Sequence, residues 1–229
     1  AACTSQRPTY LLGNLRELFE PYPRVDVTHD GDRFRARCRE AVAETDSRVA
    51  VAQQLAATLS HVVIGRVVPL VALEGRAWDV GLENLWVHVD SEGAIDWVGV
   101  VDPTLRALPD DPHLAQRRSV GSVRTRRDGI VALPSEAALT TWVAHRSHRA
   151  LSPLFAKLHE VSDGAVSIAS MWNIVGAAVV GASTQVPLLA GSSELTSMSR
   201  GQAILDALVG FGLPVRGASR FSTGKALLN

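Results

Sequence analysis

Between Asn84 and Val101 the apolar residues change their spacing, and that change limits the folds open to the chain. Ahead of it, from Arg35 to about Val63, the pattern is helical: Ala41, Ala43, Val49, Val51, Leu55, Leu59 and Val62 recur at mixed three- and four-residue steps. Within it, Asn84-Leu-Trp-Val-His-Val-Asp90 alternates, and Ala94-Ile-Asp-Trp-Val-Gly-Val-Val101 alternates in part. Ser91-Glu92-Gly93 supplies turn chemistry between the two runs, so this stretch predicts a β-hairpin. From Ser135 onward the period is helical again. Helices, then hairpins, then helices give an α+β fold that is mostly helical, with strands segregated from helices and no βαβ succession.

The punctuation refines this order into three parts. Residues 1–35 read as an irregular N-terminal segment, with one short helix over Leu11–Leu18 stopped by Pro21 and Pro23, and a turn at Asp30-Gly31-Asp32. Residues 36–134 read as a helix-plus-hairpin subdomain. Asp46 or Ser47 is an N-cap candidate dividing the helical stretch, and Pro69 is expected to break or kink its continuation. Leu108–Pro112 reads as a loop, and Ser119–Val123 with Ile130–Leu133 as a second, weaker hairpin. Residues 135–229 read as a C-terminal helical subdomain. Its helices start at Ser135, at Ser152-Pro153, at Ser167 (stopping before Pro187) and at Ser197, with ends at Asp163-Gly164 and around Gly210-Phe211-Gly212.

Composition narrows the function classes. The 229 residues are 46% hydrophobic and 20% charged, enough for a sizeable core, and the formal net charge is zero. That balance argues against a nucleic-acid partner held by phosphate contacts. Ile174–Ala182, the best apolar run, is about half of the ~20 residues a membrane span needs. No basic segment followed by an apolar stretch opens the sequence, which reads as cytoplasmic. Cys3 and Cys38 make neither a disulfide framework nor an all-cysteine metal site within one chain. All but two of the 23 basic residues are arginine, the exceptions being Lys157 and Lys225. A GC-rich coding sequence and an arginine-lined anion pocket both fit that skew.

Four groups of residues have chemistry to offer. His145 and His148 lie three apart on a predicted helix, a spacing that lets two imidazoles share a metal, although no third ligand is marked; the more ordinary reading is a basic helix end complementing the dipole. Arg117, Arg118, Arg124, Arg126 and Arg127 sit on or beside the weaker hairpin; Arg118, Arg124 and Arg126 make an anion-attracting wall if they share a sheet face, the alternative being an exposed loop and edge strand guarded by charge. His61 and Arg66 interrupt an otherwise apolar helix, where a charge is usually paired or at the edge of a buried face. Trp172-Asn173 opens a helix rich in Gly and Ala, suited to close packing or to lining a cleft. G-x-S-x-G, Walker, H-E-x-x-H and post-strand G-x-G-x-x-G signatures are missing.

Two segments together resemble the ferric-siderophore reductase family (FhuF-like), which is related to the C-terminal part of siderophore synthetases. Arg48 to Pro69 resembles the family's apolar helix ending in Arg-x-x-(Ser)-Pro, and Met171-Trp172-Asn173-Ile-Val-Gly176-Ala-Ala-Val-Val-Gly181-Ala resembles its tryptophan-led helix rich in small residues. The resemblance spans roughly residues 45–215. It implies a cytoplasmic protein that meets a ferric siderophore and reduces Fe(III) to Fe(II), which hard oxygen donors hold far less tightly. The expected siderophore-binding residues are Arg66, Arg124, Arg126, Arg127, Trp172 and Asn173. The family's electrons pass from a donor protein or reduced cofactor through a [2Fe–2S] cluster held near the C-terminus by two adjacent cysteines and, about ten residues on, a C-x-x-C. Leu213–Asn229 looks like the approach to that segment but carries no cysteine, and Cys3 and Cys38 match no family position. Electron transfer is therefore not expected from this chain alone; a siderophore- or partner-binding module of the same fold is the alternative.

Overall fold

A computed structural model describes residues 9–11, 48–89, 95–114, 129–190 and 194–215. The expected N-terminal helix beyond Leu11, the turn at Asp30–Asp32, the helix ahead of Arg48, the strand at 119–123, both cysteines and the arginines from Arg117 to Arg127 lie outside the described residues. Within them the fold is α+β and mostly helical. Strand β1 (Thr9–Leu11) is followed by helix α1 (Arg48–Glu74), β2 (Arg76–Ala77), β3 (Leu85–Val89), β4 (Ile95–Val100), β5 (Leu105–Ala107) and β6 (Ile130–Ala132). Helices α2 (Glu136–Val161), α3 (Ile168–Ala190) and α4 (Glu194–Gly210) complete the order.

The hairpin forms where the alternation predicts it. β3 and β4 pair antiparallel, with Leu85 opposite Val100 and Val87 opposite Val98. Those pairs point into the core, where Val87 is fully buried, while Trp97 on the other side of the sheet is half exposed. Asn84 anchors the hairpin's base: its side-chain amide donates to the Asp79 carbonyl at 2.8 Å and accepts from the Asp102 amide at 2.7 Å. The N-terminal part is not wholly irregular, because Thr9–Leu11 pairs antiparallel with β3 and completes a sheet of order β1-β3-β4. Ile130–Ala132 is a strand as expected, but it pairs in parallel with Leu105–Ala107 in a second sheet of order β2-β5-β6.

Each of three internal prolines lies within a continuous helix, which corrects the expected helix start at Pro153 and stop before Pro187 and excludes a break at Pro69. α1 runs unbroken through Pro69, α2 through Pro153 and α3 through Pro187. Two helices expected at Ser135 and Ser152 are thus one. An internal proline costs about 3 kcal/mol in an isolated helix. Pro69 and Pro153 are flanked by buried residues on both sides, Val68 and Val71, Leu151 and Leu154, and Pro187 is itself buried, one turn after the buried Ser183. Packing against the core offsets the local penalty. The helix ends follow the expected chemistry. Ser135 caps α2 by accepting from the Ala138 amide at 3.1 Å. Gly212, at φ 80°, ends α4 in a Schellman turn with the Leu213 amide on the Leu208 carbonyl at 3.1 Å.

α1 lies along α3, the most extensive helix pair among the described residues, and α4 packs on both α2 and α3. One contiguous core joins residues of α1, the hairpin, α2, α3 and α4. By length and composition α1 is also long and apolar enough to cross a membrane, although polar residues such as His61 and Arg66 interrupt its apolar run. Here 56% of its most apolar window is buried inside the chain, as in the core helix of a bundle.

Candidate functional site

Residues seven apart on a helix share a face, so His148 and Phe155 of α2 line up along one side. Both meet Trp172 in the first turns of α3: Phe155 edge-on at 5.3 Å between ring centroids, His148 at 6.0 Å. Trp172 is 2% exposed. On its outer side His148 stacks on Phe211 at 5.8 Å and 20°, and His145, one turn earlier, meets the same phenyl ring edge-on at 6.1 Å. Four rings, Phe211, His148, Trp172 and Phe155, therefore step from the surface into the core.

Phe211 is held there by the Schellman turn, which reverses the chain so that Leu213–Val215 comes back onto α3. Gly176, one turn after Trp172, makes room for it: a Cβ at that position would lie 3.1 Å from the Val215 carbonyl oxygen. We call residues 211–215 the strap. Burial holds the His148 imidazole below its ordinary pKa, and the neighbouring His145 and Arg149 act in the same direction. Ser147, on the buried side of α2, leaves its hydroxyl without a hydrogen-bond partner among the described residues.

Three of the expected site residues, Arg66, Trp172 and Asn173, are among the described residues. Arg66 is exposed on α1. Trp172 is a core ring sealed by Phe155 and His148. Asn173 is half-buried beside it and is already engaged by a partner. Arg124, Arg126 and Arg127 lie outside the described residues. His145 and His148 come together as expected, but both turn toward Phe211. No group of three or more His, Cys, Asp or Glu capable of holding a metal occurs among the described residues. Phe211 was missed as a site residue: Gly210-Phe211-Gly212 marks a turn, but nothing local says that its phenyl ring lands on a helix more than sixty residues earlier.

A [2Fe–2S] cluster needs four ligands, normally cysteine thiolates. The described residues contain no cysteine, and the sequence has only Cys3 and Cys38. This donor set does not fit the cluster.

Several arginines act instead as clamps. Arg76 pairs with Asp111 through Nε at 2.6 Å and Nη2 at 3.2 Å, and with Glu74 at 2.6 Å. The Arg76 guanidinium holds the Asp111 carboxyl below its ordinary range. Arg146 joins α2 to the loop before β3 by pairing with Asp79 at 2.6 Å and with Glu83. Arg200 of α4 pairs with Glu136 at the start of α2 at 2.9 Å and donates to the Val71 and Ala72 carbonyls at the end of α1. One cation thus serves the carbonyl end of α1 and a first-turn carboxylate of α2 together. Arg106 lies 5.3 Å over the Trp142 ring.

Comparison with family models, with curated proteins and with solved structures returns no match for this chain.

Proposed function

We propose that the chain is the chelate-binding body of a FhuF-like ferric-siderophore reductase, acting in the cytoplasm. The observation that carries this reading is the pairing of α1 with α3, because these are the two segments that resemble the family. Family-like marks on two helices far apart in sequence, packed as the central pair of the bundle, are more than two chance apolar stretches. The strap adds to this support, since it brings the start of Leu213–Asn229, the stretch that resembles the approach to the family's cysteine segment, against Trp172's helix.

On this reading an anionic ferric chelate is drawn by Arg66 and by Arg124, Arg126 and Arg127, whose planar guanidinium groups suit oxygen-rich anions. Asn173 supplies a polar contact, and Trp172 acts from within the core by holding the face on which the chelate sits. A [2Fe–2S] cluster would supply one-electron transfer to Fe(III), and this chain's residues do not hold it. Electrons would come from a donor protein or reduced cofactor. The cysteine count favours a second reading, a siderophore-binding module that performs no reduction.

Titration with hydroxamate and catecholate ferric siderophores, read by tryptophan fluorescence and calorimetry, tests the shared part. Binding near micromolar affinity that falls about tenfold or more in the Arg124→Ala, Arg126→Ala, Arg127→Ala triple variant is the expected result. If no ferric chelate binds, both readings fail. An Fe(II) trap added with a one-electron donor then separates them: Fe(II) formed faster than in protein-free chelate marks a reductase.

A further inference from the structure

The ring ladder contains one group that changes charge near neutral pH, His148, and among the described residues no carboxylate faces it. Every element packed against His148 bears this out. On its own helix the neighbours are His145 and Arg149, both cationic or able to become so; Arg146 is occupied by Asp79 and Glu83. From α3 comes Trp172, and α3 has no ionisable residue along Ile168–Ala190. From the end of α4 and the strap comes Phe211, and Val209–Val215 is likewise free of ionisable residues. Asp206, a turn earlier on α4, is exposed and accepts from Gln202 at 2.7 Å.

We propose that His148 is a pH-sensitive latch that holds the Phe211–Val215 strap closed on α2 and α3 while neutral and releases it when protonated. The closed arrangement stacks the imidazole on Phe211 and packs it on Trp172, and this burial, with His145 and Arg149 nearby, favours its neutral form. An open strap lets the imidazole meet water, where it protonates at the ordinary value for histidine. The closed form therefore binds protons less readily than the open one, and falling pH favours opening. Closure is at full strength above the ordinary histidine range and fades as pH drops below it. Opening uncovers His148 and the edge of Trp172 and frees the chain that leads into residues 216–229. This holds whatever ligand the protein takes.

Hydrogen exchange of the full chain tests it, with rates corrected for the intrinsic pH effect and compared at about pH 7.5 and about pH 5.5, on either side of the ordinary histidine value. The strap amides to follow are those of Phe211, Gly212 and Leu213, which bond to Ala207, Val209 and Leu208. Their protection is expected to fall several-fold at the lower pH while that of α1 holds. In His148→Phe, which keeps an aromatic ring but cannot charge, the fall disappears. An equal fall in His148→Phe, or none in the wild type, overturns the latch. Should that variant not fold, an NMR titration of the wild-type His148 ring decides. A midpoint below the ordinary histidine value, with the Trp172 indole signal moving alongside, supports the proposal; a midpoint at or above that value ends it.

Discussion

α2 is joined to its surroundings in two different ways. Toward the sheet it is tied by Arg146 to Asp79 and Glu83, and Arg76 and Arg200 make matching ties nearby. Toward α3 and α4 it is joined by rings, with Phe155 and His148 closing on Trp172 and Phe211. The arginine side is partly wet and depends on geometry: each guanidinium fork fixes a loop or helix end at a set angle, but exposed ion pairs contribute little and weaken in salt. The ring side removes large apolar area from water and carries more of the stability. The two sides also answer acid differently. Asp111 and Glu83 are held below their ordinary range by arginine and by hydrogen bonds, so their contribution exists above the ordinary carboxylate range and is lost as pH falls through it. His148, held neutral, gives way at higher pH. Acid should therefore loosen the ring side at its strap before it loosens the clamps.

The sharpest contrast comes from deleting the centre of each side. Trp172→Ala empties the middle of the ring ladder and should cost about 3–5 kcal/mol in denaturant unfolding. If it costs under about 1 kcal/mol, the ring side is not the main support and the comparison collapses. Arg76→Met keeps most of the apolar stem but strands the Asp111 carboxylate, whose side chain is 2% exposed. A loss of about 2 kcal/mol near neutral pH is expected, discounted from a fully buried pair because Arg76 keeps some solvent contact and the His113 amide still donates to Asp111. That loss should shrink as pH falls and Asp111 protonates. A pH-independent loss would mean that the stem of Arg76, not its charge, holds the junction.

The sequence disclosed these two sides unequally. The hairpin was legible because one buried face imposes a strict period of two, and the Ser135 cap because its chemistry is local. Both Asp163-Gly164 and Gly212 were legible as helix ends for the same reason: Asp163, Gly164 and Gly212 adopt positive φ. The prolines misled, because a local penalty was set against tertiary packing that the sequence does not display. The parallel pairing of β5 with β6 was invisible, since strands of three residues have too little pattern to reveal a partner. The histidine spacing was plain, but its meaning was not. Phe211 and Trp172 reach His148 from the strap and from α3, and such long-range contacts leave no trace in the residues around position 148.

The smallest effect tests the finest detail of the ring side, the approach of the strap to α3. In Gly176→Ala the helix gains about 1 kcal/mol of intrinsic propensity, because glycine is the poorer helix former. The new methyl, however, would lie 3.1 Å from the Val215 carbonyl oxygen and 3.3 Å from its carbon, inside ordinary contact distance, and both atoms are backbone. The helix is pinned by Trp172 on the same side one turn away, so the strap is the part free to give, by a few tenths of an ångström. Global stability should then change by no more than about 0.5 kcal/mol, the gain in α3 offsetting the loss at the contact. Local protection of Leu213 and Val215 should nevertheless fall, and the pH at which the strap opens should move up, because a weaker closed state needs fewer protons to release it. Unchanged protection at Leu213 and Val215, with the full gain in global stability, would show that the strap only rests against α3 and that His148 and Phe211 alone hold it.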